Sequence, residues 1–205
     1  MGFDKAHPSE ELNEGAEVPA RVAASVIVLR DSADGPEVLL VQRNPGSRFM
    51  GGAWVFPGGA VDKGEEVQAT GRRELEEEAA LALPDGAELT LFSRWITPAE
   101  VKIRFDTWFF VVEAPADAEP AVDGSECVDL RWITPQAALD AGADGSLMLV
   151  FPTIKHLDQL AKFESVADTL ETARGREVVA VQPRIIDRGE GLRVLLPGEP
   201  GFEDP

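Results

Sequence analysis

Positive charge is scarce in this sequence. Nineteen lysines and arginines stand against 37 aspartates and glutamates in 205 residues, a formal net charge of −18. That balance speaks against broad binding to nucleic acid or to an anionic membrane surface, both of which call for basic patches. It still permits a small polyanionic substrate, provided that local arginines, lysines or a metal ion overcome the surrounding field. Solubility alone, or a saline host, would select the same acidity. Cysteine is rarer still: Cys127 is the only one, so an internal disulfide and a cysteine zinc cluster are both excluded. A reduced, cytoplasmic setting is the expectation. No apolar run approaches the roughly 18 residues of a membrane span, and no secretory signal opens the chain. The two histidines, His7 and His156, lie outside any constellation of chemical groups. Internal repeats and low-complexity linkers are lacking as well.

What is present reads as one α/β domain. Residues 1–20 are polar and are expected to be a flexible N-terminal segment, with a single domain over 21–205 whose last part, from about 150, is an elaboration. "RVAASVIVLRD" and "EVLLVQR", separated by "SADGP", predict a hairpin of two strands. "NPGSRFMGGAWVFPGG" carries too much glycine and proline for regular structure except around "WVF". A helix is predicted from about Glu66 to Leu81, ending before Pro84 and Asp85-Gly86. "ELTLFSRWI", "RFDTWFFVVEA" and "CVDLRWI" predict further strands, and Thr134-Pro135 caps a helix over "TPQAALDAG". "FPTIKHLDQLAKF" and "SVADTLETARG" are helical, followed by strand character in "EVVAVQPRII" and "GLRVLLPGEPG". Interspersed strands and helices of this kind make a mixed α/β sandwich.

The helix over 66–81 is where the acids crowd. At about 100° per residue, Glu74, Glu77 and Glu78 share one face while Glu76 points away. Leu75, Ala79 and Ala82, with Gly71 a turn earlier, make the neighbouring apolar stripe. Like charges four residues apart cost a helix a few tenths of a kcal/mol per pair. No lysine occurs between Lys63 and Lys102 to relieve them. An exposed acidic helix is one reading; a seat for a hard cation such as Mg²⁺, which selects oxygen ligands, is the other.

The wider spacing favours the second. Gly59, five residues, Glu65, seven residues and then "RELEEEAAL" resembles the Nudix box, G-x5-E-x7-R-E-U-x-E-E-x-G-U with U aliphatic. Gly59, Glu65, Arg73, Glu74, Leu75, Glu77, Glu78 and Leu81 match it; Ala80 replaces the pattern's last glycine. The resemblance implies the Nudix α/β/α sandwich with a mixed sheet, and hydrolysis of a diphosphate linked to another moiety with Mg²⁺ or Mn²⁺ as cofactor. It implies Glu74, Glu77, Glu78 and the Gly59 carbonyl as metal ligands, with Glu65 and Arg73 orienting them. Two or more bound ions would clamp both phosphates and activate water, so no nucleophilic side chain is required. Glu77, Glu100 and Glu126 are the candidate general bases, and the residues alone do not choose among them.

Outside the box, "QRNPGSRFMGGAWVFPGG" and "TPAEVKIRFDTWFF" resemble the coenzyme A and acyl-CoA diphosphatases of the type found in mammalian peroxisomes. CoA or acyl-CoA, cleaved to 3′,5′-ADP and (acyl-)4′-phosphopantetheine, is therefore the preferred substrate expectation. The box here lacks the insertion expected of animal members, and "FEDP" is no peroxisomal address. Alternatives are hydrolysis of ADP-ribose, NADH or another nucleoside diphosphate derivative, and a non-catalytic domain that binds a nucleotide and regulates. Arg43, Arg48 and Arg104 are candidate phosphate partners, because guanidinium forks match phosphate oxygens. Phe49, Trp54, Phe105 and Trp108 are candidates to stack a base or line an acyl groove; a core role is the competing reading for each. Lys155 and His156 are candidates to meet a 3′-phosphate, though a helix surface would carry them as readily, and Trp95 and Trp132 read as packing residues. The expected partner is a small-molecule diphosphate, neither nucleic acid nor membrane, with a homodimer left open.

Overall fold

The computed structural model of the protein describes residues 12–13, 15–187 and 191–203. His7, most of the expected N-terminal segment and the last two residues of "FEDP" lie outside them. The elements run β1 Arg21–Ser32, β2 Gly35–Arg43, β3 Trp54–Val55, β4 Gly58–Ala60, α1 Val67–Ala79, β5 Thr90–Ile96, β6 Phe105–Glu113 and β7 Cys127–Ile133. They continue with α2 Pro135–Asp144, α3 Phe151–Leu160, α4 Val166–Gly175, β8 Ala180–Val181, β9 Arg184–Asp187 and β10 Leu192–Leu195.

β1 is the spine of a mixed sheet. It pairs in parallel with β6 over its first nine residues and antiparallel with β2 through the tight turn after Ser32. Near its start it also pairs antiparallel with β4, Ser25 opposite Gly58 and Ala23 opposite Ala60. β6 continues to β5 and then β8, while β2 carries β3 and β7. β9 and β10 form a separate hairpin.

Both faces of the sheet are covered, which is why β1 and β2 read as nearly unbroken apolar runs. Ala24, Val26 and Val28 alternate with Ile27 and Leu29 along β1. The even set packs with Leu39, Val41, Phe110, Leu75 and Ala79 under α1. The odd set packs with Val38, Leu40, Leu139, Ile154, Leu157 and Leu170 under α2, α3 and α4. The result is a three-layer α/β/α sandwich. Residues after 150 thus supply α3 and α4, two of the three helices of the second layer, as well as the β9–β10 hairpin.

Local chemistry sets the boundaries. Thr134 Oγ1 accepts the Ala137 N–H at 3.3 Å and Ser165 Oγ accepts that of Asp168 at 3.1 Å, capping α2 and α4. α1 stops at Ala79 because Ala80 takes the left-handed conformation (φ 48°, ψ 31°), its N–H returning to the Leu75 carbonyl. The apolar stripe of α1 is therefore closed by Leu81, which is buried, and not by Ala82, which is exposed. "EVVAVQPRII" yields two short strands instead of one, broken at Gln182-Pro183, where proline has no N–H for a ladder. Gly58–Ala60, expected to be irregular, forms β4. A β-carbon at Gly58 would lie 2.4 Å from the Ala24 carbonyl oxygen, so only glycine lets this strand press so closely on β1. Among the described residues, no helix is long and apolar enough to cross a membrane.

Candidate active site

β4 lies across the edge of α1 that carries the acids, and this divides them. Glu74 and Glu78 are buried, whereas Glu76 and Glu77 remain exposed. Gly58 N–H donates to Glu78 Oε2 at 2.8 Å. Gly59 is packed so closely on the Glu74 carboxylate that a β-carbon there would fall 2.3 Å from Oε1. The three acids expected to share one face are thus two inside and one at the rim.

Arg73 gathers the rest. Its fork pairs with Glu65 through Nε–Oε1 at 3.0 Å and Nη2–Oε2 at 3.1 Å, while Nη1 donates to Glu74 Oε1 and Glu77 Oε2, each at 2.8 Å. Thr70 Oγ1 adds a bond to Glu65 at 2.7 Å. Arg73, with help from Thr70, holds the Glu65 carboxyl down at about 2. The guanidinium stands between Glu74 and Glu77, and among the described residues no three acidic, histidine or cysteine side chains are already gathered as a metal-binding group.

Burial pushes Glu78 up to about 7, against the Gly58 N–H and the Arg43 charge, with Glu74 and Glu126 pushing the same way as burial. Glu74 is also raised, first by burial, while Arg73 opposes. Two buried carboxylates supplied with only part of the positive charge they need make a place that a cation would stabilise.

They face a pocket of about 370 Å³. Arg43 and Glu126 line it, as do Phe49 and Phe105, whose ring centroids are 5.6 Å apart. Among the described residues, the one hydrogen bond from the Arg43 guanidinium is Nε to the Phe49 carbonyl at 3.3 Å, which leaves its Nη groups for a ligand. Of the candidate bases, Glu126 lines the pocket; Glu100 does not. Glu100 instead accepts the Ile185 N–H at 3.3 Å and lies 4.0 Å from Arg184, tying down β9.

Other expectations are corrected. Arg104 is 4% exposed and spends its donors on Glu17 and on the Val18 and Thr97 carbonyls. It pins the chain leading into β1 and has no fork left for phosphate. Arg48 is exposed on the loop before β3 and outside the pocket lining. Trp54 is a core residue, 3% exposed, with Arg131 stacked 4.7 Å above its ring. Trp108 carries Arg94 at 4.8 Å. His156, read as helix surface, is fully buried among Phe56, Phe92, Trp95 and Phe109. Its Nδ1–H donates to the Pro152 carbonyl at 2.6 Å, so Nε2 must accept from Ser93 Oγ at 2.5 Å. Burial holds it neutral, down at about 4. Cys127 is buried and pushed up to about 12, chiefly by desolvation, which leaves it no nucleophilic thiolate.

Arg21 is the pocket residue that sequence reasoning missed. It stands exposed at the start of β1, lines the pocket, and makes no salt bridge among the described residues. A signal was available: Ala23 and Ser25 are small where Ile27 and Leu29, further along the same face, are large. The missing volume is the cavity, and Arg21 is next in that alternation.

The comparisons agree with this geometry. The NUDIX domain family model matches residues 19–149. The chain belongs to the Nudix family. It is 28% identical to a putative nudix hydrolase 7 of Caenorhabditis elegans over 69% of this chain and 61% of the relative. To the nudix hydrolase 7 of Arabidopsis thaliana it is 29% identical, over 58% of this chain and 41% of that one. The chain therefore spans less than two thirds of the curated relatives it matches. Among solved structures, a NUDIX hydrolase from Alicyclobacillus acidocaldarius superposes with a TM-score of 0.68 at 25% identity, covering 75% of this chain and 96% of the other. In this Nudix chain the box supplies α1 and its capping strand, and the pocket wall comes from outside the box.

Proposed function

We propose that this chain hydrolyses a diphosphate linkage with Mg²⁺ or Mn²⁺, and that CoA or acyl-CoA is the substrate, released as 3′,5′-ADP and (acyl-)4′-phosphopantetheine. The observation that carries the reading is the buried Glu74–Glu78 pair beneath Gly58 and Gly59, opening on a pocket that also holds Arg21 and Arg43. The donor set fits a hard cation: it is oxygen only, partly desolvated, and crowded against a glycine that leaves no room for a side chain. Glu74, Glu77, Glu78 and the Gly59 carbonyl would hold the ions. When bound, such ions would neutralise phosphate charge and make water a competent nucleophile at neutral pH.

The chain's own groups account for the rest. Arg73 fixes Glu65, Glu74 and Glu77 relative to one another, so the acids are positioned before substrate arrives. Arg43 and Arg21 present guanidinium forks to phosphate oxygens. Phe49 and Phe105 offer a face and an edge for an adenine. Glu126, which lines the pocket, and Glu77, exposed on α1, are the carboxylates proposed to take a proton from water. A domain that only bound and regulated would not need Glu65, Arg73 and all three acids together. The single, buried cysteine supports the cytoplasm as the proposed compartment.

A product-resolved assay of CoA, acyl-CoAs, ADP-ribose and NADH with Mg²⁺ or Mn²⁺ tests this. Release of 3′,5′-ADP with 4′-phosphopantetheine is the expected result. Cleavage of ADP-ribose alone would sink the substrate, and hydrolysis without metal would sink the mechanism.

A further inference from the structure

A second, smaller cavity of about 70 Å³ adjoins the first and shares Met50, Thr97, Thr107, Phe109 and Pro152 with it. Its inner wall is apolar: Trp95, Ile96, Phe151, Pro183 and Val194. Among the described residues, neither an acid nor a base lines it. It is therefore an annex to the diphosphate pocket with the opposite chemistry, built partly by β10 and by the start of α3.

Met50 stands at the junction in an unusual state. It has φ +50°, one of two non-glycine residues described with positive φ. Its loop enforces this. The Phe49 carbonyl accepts from Arg43 Nε at 3.3 Å, and the Met50 carbonyl accepts the Ala53 N–H at 3.1 Å. Gly51 is packed so that a β-carbon would lie 2.6 Å from the Pro45 carbonyl oxygen. A left-handed methionine is strained, and such strain persists where its surroundings over-determine it. Here the held side chain lines both cavities. Methionine is flexible and polarisable, suited to closing on an irregular apolar group.

Resting on the diphosphatase reading above, we propose that Met50 and the annex form a specificity subsite for a short branched aliphatic group attached directly to the diphosphate. The annex is too small for a base or a chain of many carbons and offers a sugar's hydroxyls few partners. The dimethyl-substituted carbon one methylene away from the diphosphate ester oxygen in a pantetheine arm has this shape; the ribose at the same place in ADP-ribose does not. The subsite separates those two substrate classes by what lies beside the cleaved bond, leaving the adenosine half to be recognised alike.

The test uses methylene-bridged, non-hydrolysable ADP esters bearing either a methyl or a neopentyl group, titrated calorimetrically into the full chain with Mg²⁺. The wild-type protein is expected to bind the neopentyl ester about tenfold more tightly, the worth of burying about two methylene groups. Val194→Phe, which fills the annex from β10, and Met50→Gly, which removes its gate and relieves the backbone, should each bring that ratio towards one. Equal affinities in the wild type, or a ratio that survives both substitutions, overturns the proposal. Turnover of the cleavable esters is measured in parallel. A preference for neopentyl without turnover rejects the diphosphatase reading and keeps the subsite; turnover without preference does the reverse.

Discussion

The acidic edge of α1 and the arginine-bearing wall of the pocket are built in opposite ways. On α1, Arg73 locks Glu74 and Glu77 to each other and to Glu65 just before the helix, and a glycine strand lies over the buried pair Glu74 and Glu78. The wall is drawn from distant segments: Arg21 from β1, Arg43 and Phe49 around the loop after β2, Phe105 from β6. The first is a local device for holding charge; the second is a surface that tertiary pairing alone assembles. Under the proposed reading, chemistry belongs to the part whose geometry is locally locked, and selectivity to the part assembled by tertiary pairing.

The sharpest break in that contrast should come from Glu77→Gln. Turnover should fall by about a hundredfold or more, while the melting temperature holds, because Glu77 is exposed and its bond to Arg73 is a surface pair. Unchanged turnover in a steady-state assay would remove Glu77 from the mechanism.

Next in size is a pH effect on the protein stripped of metal. Glu78 is raised from 4.5 to about 7 in the fold by burial, so the folded state binds the extra proton between those values and the unfolded state does not. The contribution of Glu78 to stability is then fully present below about pH 4.5 and is lost as pH rises to about 7, by on the order of 3 kcal/mol. Saturating Mg²⁺ should cancel the decline, since a bound cation takes the proton's place. Denaturant titrations across this range with chelator and with Mg²⁺ would show it; a flat metal-free profile would contradict it.

The two arginines make the third test. Arg43→Ala should raise KM about tenfold with kcat nearly preserved, the loss of a charged hydrogen bond of about 1.5 kcal/mol. Arg104→Ala should leave KM alone and lower stability, because it strips Glu17, Val18 and Thr97 of a buried donor. Exchange of these two phenotypes would reverse the assignment. The smallest effect is Ala80→Gly. Relieving a left-handed alanine should add about 1 kcal/mol, or about 2–4 °C in Tm, with turnover unaffected.

The same contrast explains what was legible in the sequence. Glu74, Glu77 and Glu78 are readable because a helix converts spacing into direction, and Glu65 and Arg73 through the resemblance of the segment to the Nudix box. The split of the acids into buried and exposed was not, because it depends on β4 crossing α1, a contact between chain segments that glycine content disguised as loop. Arg104 and Trp54 failed as candidates for a related reason. Residue type suggested a ligand, but a buried guanidinium satisfies carbonyls first and a strand-end indole fills core. His156 was misplaced because its helix carries a polar residue into an aromatic cage, where two hydrogen bonds make burial affordable.

The most direct measurement is calorimetric titration of Mn²⁺ into metal-free protein at pH 8, for wild type, Glu74→Gln and Glu78→Gln. If the buried pair is the metal seat, both substitutions should weaken binding by at least about tenfold with the far-ultraviolet spectrum of the fold intact. Mn²⁺ binding of wild-type strength in both variants would show that the ion sits elsewhere, and the account of this site would fail.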